Sequence, residues 1–327
     1  MPTRDPQRTR LLARGWPVGS RRSGFSKASR GFSPAWGSCG VTSHDRVGYV
    51  AIGDERAGGV IIEAGEAKAE SWEDLIAGAG AHIRPPVVAQ EFVGGLTSAS
   101  RPQKLRCDDG NLYAVKFRGN PYGNGRAIFT EQVVAVLGRL IGAPVPDVRL
   151  VRVTDELLSL LNLDINGQPA TSGLQHGSLW QEGFSDREGL SHLDENRSSF
   201  AALRLLYSWL FCAGDHQFIY RNAPPRNVLS VDHSCFLPDG TAWSGRRLEE
   251  HQDSVTLDPY FDSLALKEED QAATLDRLES VERTEIARVT ATPPDEWGVL
   301  LGERVAFAEY VARRRIRLLE HFGRGAA

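Results

Sequence analysis

The fold of this chain is decided by residues 104–117, which read KLRCDDGNLYAVKF. Asp108-Asp109-Gly110 at the centre is a strong hairpin-turn signal, so the segments on either side are predicted to be antiparallel strands. Alternate residues of a strand share a face. In the second strand, Leu112–Phe117, the charged Lys116 therefore lies on the same face as the small Ala114.

The segments next to this hairpin extend the pattern in both directions. Upstream, residues 87–93 are predicted to form a strand that ends at Gly94-Gly95. Downstream, residues 128–141 have apolar side chains at helical spacing and end at Gly142, as a helix does. Val148–Val153 is predicted to be a further strand. The predicted order is β-β-β-α-β.

The second half of the chain is predicted to be mostly helical. Helices are expected at residues 200–212, 268–281 and 296–322, with a short apolar segment at 230–236. Gly173–Ser178 is interpreted as a loop between the two halves. Strands followed by helices favour an α+β fold.

Composition excludes several classes of protein. The chain has 327 residues, 41% of them hydrophobic and 24% charged, as in an ordinary globular protein. Its net charge of -4 argues against nucleic acid as a direct partner. Apolar runs fall short of the roughly 18 residues that a membrane span needs, so no membrane association is expected. Four scattered cysteines indicate a reduced, cytoplasmic protein.

The first part of the chain differs from the rest in amino-acid composition. Residues 1–46 carry nine basic and two acidic side chains and lack apolar periodicity, so they are predicted to be a disordered basic tail. Residues 47–86 are predicted to be a short extension of unknown role, with a strand at Gly59–Glu63 and a helical stretch at Trp72–Ile76. The boundary is Pro85-Pro86.

Lys116 is the first candidate functional residue. A lysine in an apolar strand is costly unless its charge meets a partner, and a phosphate group is one such partner. The alternative is a strand lysine whose amine reaches water. Upstream, Gly94 and Gly95 permit close backbone approach, and the hydroxyls of Ser98 and Ser100 could help to hold phosphate; an ordinary flexible hairpin is the alternative.

Three acidic residues complete a candidate site. Glu131 lies on the predicted helix, where it could pair with Lys116, although a solvated helix acid is the alternative. Asp215 follows a buried helix and could accept a proton from an attacking hydroxyl. Asp232 follows a short apolar strand and could hold Mg²⁺ against phosphates. Turn-forming or capping roles are the alternative for both aspartates.

These residues resemble a known family. The resemblance to the HipA-like serine/threonine kinases covers about residues 87–322 and rests on several motifs. The motifs are Gly94-Gly95, the stretch 101–117, Glu131 with Leu140–Pro146 (LIGAPVP), Ser230–His233 and Thr292–Trp297. The resemblance implies a two-lobed protein-kinase-like fold, with a small mostly β lobe at 87–153 and a larger mostly α lobe at 154–327.

The resemblance also implies ATP and Mg²⁺ as cofactors. It implies that Lys116 binds phosphate beside Ala114, that Glu131 pairs with this lysine, that Asp215 is the catalytic base and that Asp232 is a metal ligand. One departure affects the second metal ligand, since Tyr220 stands where the family pattern has Asn. Asn222, Asn227 and Gln217 are the candidates to replace it.

The sequence leaves three functions open. The first is Mg-ATP-dependent phosphorylation of a serine or threonine of a protein, with an antitoxin-type partner as an open question. The second is phosphorylation of a small molecule, which an acidic lining near Glu182, Asp186 and Glu188 would favour. The third is a nucleotide-binding pseudokinase that serves as a partner-binding module.

Overall fold

A computed structural model of the chain describes residues 70–80, 84–119, 124–161, 163–165, 167–185, 189–212 and 216–324. These residues belong to one structural unit, Glu66–Ala327. The predicted basic tail, the expected strand Gly59–Glu63 and the candidate base Asp215 lie outside the described residues.

Five strands close into a barrel. They are β1 (Val87–Gly95), β2 (Gln103–Cys107), β3 (Leu112–Lys116), β4 (Val148–Val153) and β7 (Gly173–Leu179). Their order around the barrel is β1-β2-β3-β7-β4, and a parallel pairing of β1 with β4 closes it. The hairpin between β2 and β3 turns at Gly110, where φ is 79°. The predicted β-β-β-α-β order and the mixed α and β content are confirmed.

Two smaller sheets accompany the barrel. They contain β5 (Asp164–Ile165) with β6 (Gln168–Pro169), and β8 (Gly183–Phe184) with β9 (Phe218–Arg221) and β10 (Val228–Ser230). The β9–β10 hairpin pairs Tyr220 with Val228 and Phe218 with Ser230. The chain therefore leaves β10 beside the start of β9, two residues before Asp232.

The remaining regular structure is helical. The helices of the described residues are α1 (Trp72–Ala79), α2 (Gly125–Leu140), α3 (Asp155–Leu161), α4 (Arg197–Leu210), α5 (Gly245–His251), α6 (Pro259–Asp262), α7 (Glu268–Ser280), α8 (Arg283–Ala291) and α9 (Leu301–His321). Helix α2 begins three residues before the predicted start because Asn124 caps it, accepting a hydrogen bond from the Ala127 amide at 2.9 Å.

The interpretation of Gly173–Ser178 as a loop was wrong. This segment is most of β7, which lies between β3 and β4 and supplies the fifth strand of the barrel. Gly177 is required there, since a Cβ atom would lie 2.4 Å from Val151 Cγ2. The barrel thus takes a strand from beyond residue 153, the predicted end of the small lobe.

The prediction of one helix over residues 296–322 was also wrong. A 3₁₀ turn at Asp295–Trp297 ends at Gly298, where φ is 77°, and α9 starts at Leu301. Contacts with β7 hold the turn, because the Trp297 indole donates a hydrogen bond to the Leu174 carbonyl at 2.8 Å. These long-range contacts override the helical period of the segment.

Two hydrophobic cores stabilise the structure. The smaller fills the barrel and includes Tyr113 and Val115 of β3. The larger joins α2 to the helices that follow: the ring of Phe129 lies 5.3 Å from that of Phe307. Helix α1 confirms the helical stretch predicted near Trp72–Ile76, and it packs into this larger core.

Candidate functional site

The ammonium group of Lys116 joins three elements that are far apart in sequence. Its Nζ donates hydrogen bonds to Glu131 Oε1 on α2 and to Asp232 Oδ1 after β10, the latter at 2.5 Å. The lysine and glutamate side chains are only 10% and 4% exposed, whereas the Asp232 side chain is 25% exposed. The structure thus brings together three predicted site residues, of which Asp232 is the most exposed to solvent.

A second layer of hydrogen bonds holds the two carboxylates. The backbone amide of His233 donates to Glu131 Oε2 at 3.0 Å, and the Ser234 hydroxyl donates to Asp232 Oδ1 at 3.2 Å. Asp232 has a φ of 60°, in the left-handed region that Asp tolerates better than most residues. At this backbone turn the carboxylate of Asp232 faces Lys116 on β3, and the next amide faces Glu131 on α2.

The charges in this cluster do not cancel, since two carboxylates face one ammonium group. Burial disfavours the charged lysine, but the nearby Glu131 and Asp232 outweigh it and raise the pKa of Lys116 above its ordinary value. Burial and repulsion from Glu131 raise the pKa of Asp232. Lys116 is therefore positively charged at neutral pH, in a site that has one more carboxylate than it has ammonium groups.

Two buried histidines flank the cluster. His176 pairs with Lys116 across β7 and β3, and its Nδ1–H donates to Gln132 Oε1 at 2.9 Å. His233 Nε2 lies 3.0 Å from the Ser230 hydroxyl. Burial, with the positive charge of Lys116 acting in the same direction, lowers the pKa of each histidine to about 3. Both rings are neutral at physiological pH. Sequence reasoning missed His176 because its segment was interpreted as a loop.

The glycine-rich segment lies on the same sheet as Lys116. Strand registers align Gly94, Lys104, Ala114 and Ser178 in one row across four strands. A Cβ atom on Gly94 would meet no atom within 4 Å, so the space above it is open.

The turn after this segment is closed by backbone hydrogen bonds. The Arg101 amide donates to the Ser98 carbonyl at 3.1 Å, and the Leu96 amide donates to the Pro102 carbonyl at 2.9 Å. Ser98 is exposed and Ser100 is 8% exposed.

The predicted asparagine ligands lie away from Asp232. Asn222 and Asn227 are at the turn end of the β9–β10 hairpin, and Asp232 follows the opposite end. Gln217 lies at the end near Asp232, because its carbonyl accepts a hydrogen bond from the Val231 amide at 2.9 Å. Of the three amide side chains considered, Gln217 is therefore the one that the backbone places next to Asp232.

Asp258 is a residue that sequence reasoning missed. His216, which directly follows the candidate base Asp215, contacts Asp258 Oδ2 through its Nε2 at 2.7 Å. The His216 ring is stacked between Tyr207 and Tyr260, with centroids 5.5 and 4.6 Å away. Asp258 thus fixes the position of His216, the residue that follows Asp215. No local sequence motif indicates this role.

Replacing Asp258 with alanine should destabilise the fold. The carboxylate also caps α6, accepting a hydrogen bond from the Tyr260 amide at 2.9 Å. Losing the cap and leaving a half-buried imidazole without its acceptor should lower the free energy of unfolding by about 2–4 kcal/mol. Urea denaturation measures this change. Asp258→Asn, which keeps one acceptor oxygen for the Tyr260 amide but replaces the oxygen facing His216 with an amide NH₂, should lose less.

The matched control is Asp262→Ala on the same helix. Its side chain is 62% exposed and lies 3.4 Å from Arg204, so its loss should cost well under 1 kcal/mol. Equal destabilisation by Asp258→Ala and Asp262→Ala would contradict the anchoring role.

Some features are absent from the part of the chain that the structure describes. There, no helix combines the length and apolarity required to cross a membrane. Nor do three or more His, Cys, Asp or Glu side chains in those residues converge as a metal-binding group would.

Comparison with known proteins finds likenesses among solved structures. The chain is similar to the crystal structure of the Golgi casein kinase, with 11% sequence identity over 77% of this chain and 76% of that chain and a TM-score of 0.36. No protein-family model and no curated protein matches the chain.

Proposed function

We propose that this protein is a Mg²⁺- and ATP-dependent phosphotransferase with a two-lobed, protein-kinase-like fold. The observation that carries the proposal is the ion cluster of Lys116, Glu131 and Asp232, which joins a barrel strand, the following helix and the segment after β10. A strand lysine paired with a helix glutamate, near a second carboxylate, is the arrangement by which kinases position nucleotide phosphates.

The different exposures of the two carboxylates support different roles for them. Glu131 is almost fully buried and accepts a backbone hydrogen bond as well, so it serves as the fixed partner of Lys116. Asp232 is the more exposed of the two and is available to an entering ligand. Lys116 would then exchange part of its contact with Asp232 for a contact with phosphate.

The residues present fit Mg²⁺. This ion prefers oxygen ligands and is usually held by one or two carboxylates together with phosphate oxygens. Asp232 supplies such a carboxylate, and the cluster carries excess negative charge that a cation would balance. Asp232 would hold the metal, with Gln217 as the nearest amide candidate. The bound ion would neutralise charge on the phosphates during transfer.

The proposed acceptor is a serine or threonine hydroxyl of a second protein. In the transfer, the acceptor oxygen forms a bond to the γ-phosphorus of ATP, the bond from that phosphorus to the bridging oxygen breaks, and ADP leaves. Asp215 would take the hydroxyl proton. His216, the residue that follows Asp215 in the sequence, is held by Asp258.

The test uses the full chain with labelled ATP, Mg²⁺ and a mixture of protein acceptors. Label should pass to protein with the wild type and should fall by at least about 100-fold in Asp232→Asn and Asp215→Ala. Asp194→Asn is the matched control, because that side chain is 96% exposed and lies outside the site.

Other outcomes would change the conclusion in defined ways. Transfer to an aminoglycoside or another small alcohol, with none to protein, would replace the proposed substrate class. ATP binding without transfer to any acceptor would indicate a binding module. Failure to bind ATP at all would refute the proposal.

A further inference from the structure

A second concave surface lies on α2, on a face turned away from Glu131. We call it the arginine groove; its volume is about 420 Å³, and it lies between α2, β4 and α8. Five apolar residues are part of its lining and are called its floor: Val136, Leu140, Val148, Leu150 and Val289. Val136 and Leu140 are partly exposed, so the floor offers apolar surface to a ligand.

Four arginines line this groove, against a single acidic residue. The arginines are Arg84, Arg139, Arg149 and Arg288, and the acidic residue is Asp147. Such a concentration of guanidinium groups contrasts with the chain's net charge of -4. Like charges gathered around one concavity repel each other, and an anion in the groove would relieve that repulsion.

The ion pairs in the groove are loose. Arg84 and Arg139 lie 3.7 and 3.6 Å from the Asp147 carboxylate, and Arg288 lies 3.7 Å from Glu285. These separations exceed ordinary hydrogen-bond distances. The side chains of Arg84, Arg139 and Arg288 are 69%, 48% and 48% exposed. Their donors can therefore turn to a stronger acceptor at little cost.

We propose that the arginine groove binds a phosphorylated serine or threonine of a partner protein, with an apolar residue beside it. A phosphoryl group carries a charge of about -1.5 to -2 and three acceptor oxygens, which suits the planar fork of arginine. The apolar floor adds a contact that inorganic phosphate cannot use. This binding site goes beyond the proposed function and does not depend on it.

The arginine groove and the candidate active site both contact helix α2. Gln132 lines it and also accepts the hydrogen bond from His176, which pairs with Lys116. The next residue toward the N-terminus of the helix is Glu131. A ligand in the groove would thus contact the helix that holds the Lys116 cluster, without entering the cluster itself.

The experiment measures binding of a short fluorescent peptide with phosphoserine between two leucines. Fluorescence anisotropy should show saturable binding to the full chain that weakens as salt is raised from 50 to 200 mM. The same peptide with serine should not bind, and inorganic phosphate should compete about tenfold more weakly than the unlabelled phosphopeptide. The double variant Arg139→Gln/Arg288→Gln should weaken binding by at least about tenfold.

Arg152→Gln is the matched control, since Arg152 is exposed on β4 but is not part of the groove. It should leave binding unchanged. Equal affinity for the serine peptide, or equal loss in Arg152→Gln and the double variant, would overturn the proposal. Binding that Lys116→Met removes and the double variant retains would place the phosphate in the Lys116 cluster and would also overturn it. Loss of ATP turnover alone would bear only on the proposed function.

Discussion

Replacing Lys116 with methionine should lower the rate of phosphate transfer by at least about 100-fold, because it removes the one ammonium group of the cluster. A positive charge that faces phosphate stabilises the charge of the transition state, and methionine keeps the length of the side chain without the charge. Steady-state transfer of labelled phosphate measures the loss. Lys267→Met is the control, since Lys267 is 63% exposed and pairs only at the surface.

The same substitution should also destabilise the fold. It leaves Glu131 and Asp232 facing each other without their shared cation, and the loss of one partner from a buried ion pair costs about 3–5 kcal/mol. The double variant Lys116→Met/Glu131→Gln removes opposite charges together and should recover much of this stability. Both variants should be inactive.

Together, these two variants distinguish an effect on stability from an effect on phosphate transfer. Loss of transfer in a double variant with near-wild-type stability would show that the Lys116–Glu131 pair has a role in transfer beyond its role in stability. Full transfer by either variant would rule out the proposed contact with phosphate. Stability unchanged in the single variant would mean that the two carboxylates tolerate each other without the lysine.

Acidification should destabilise the protein through His176 and His233. Both have a pKa of about 3 in the fold, below the ordinary value of 6.5, so only the unfolded chain binds these protons between the two values. Their contribution to stability is complete above about pH 6.5 and is lost as pH falls toward 3. Each histidine should contribute a slope of about 1.4 kcal/mol per pH unit.

The useful window is pH 6.5 to 5, above the range in which most carboxylates titrate. The two histidines together should lower the free energy of unfolding there by on the order of 4 kcal/mol, as measured by urea denaturation. His176→Gln and His233→Gln should each remove about half of the dependence. The exposed His321→Gln should not change it. A pH dependence that survives both substitutions would disprove the assignment.

The local sequence determined the barrel hairpin and the first part of the site. The turn at Asp108–Gly110 and the alternation in Leu112–Phe117 predict β2, β3 and the face that Lys116 shares with Ala114. Glu131 lies 15 residues after Lys116, on a helix that the spacing of apolar residues over 128–141 predicts. These features depend on neighbours in the chain, so turn chemistry and periodicity are sufficient to predict them.

Only the tertiary structure determined which strands and side chains pair when they are far apart in the sequence. The Gly173–Leu179 segment becomes a strand only because β3 and β4 offer it hydrogen-bonding partners. The β9–β10 register separates Asn222 and Asn227 from Asp232, and Asp258 meets His216 across 42 residues. The local sequence around a residue carries information on secondary-structure propensity and hydrophobic periodicity. Its distant partner depends on how the whole chain satisfies its backbone hydrogen bonds and buries its apolar surface, and only the folded structure reveals that.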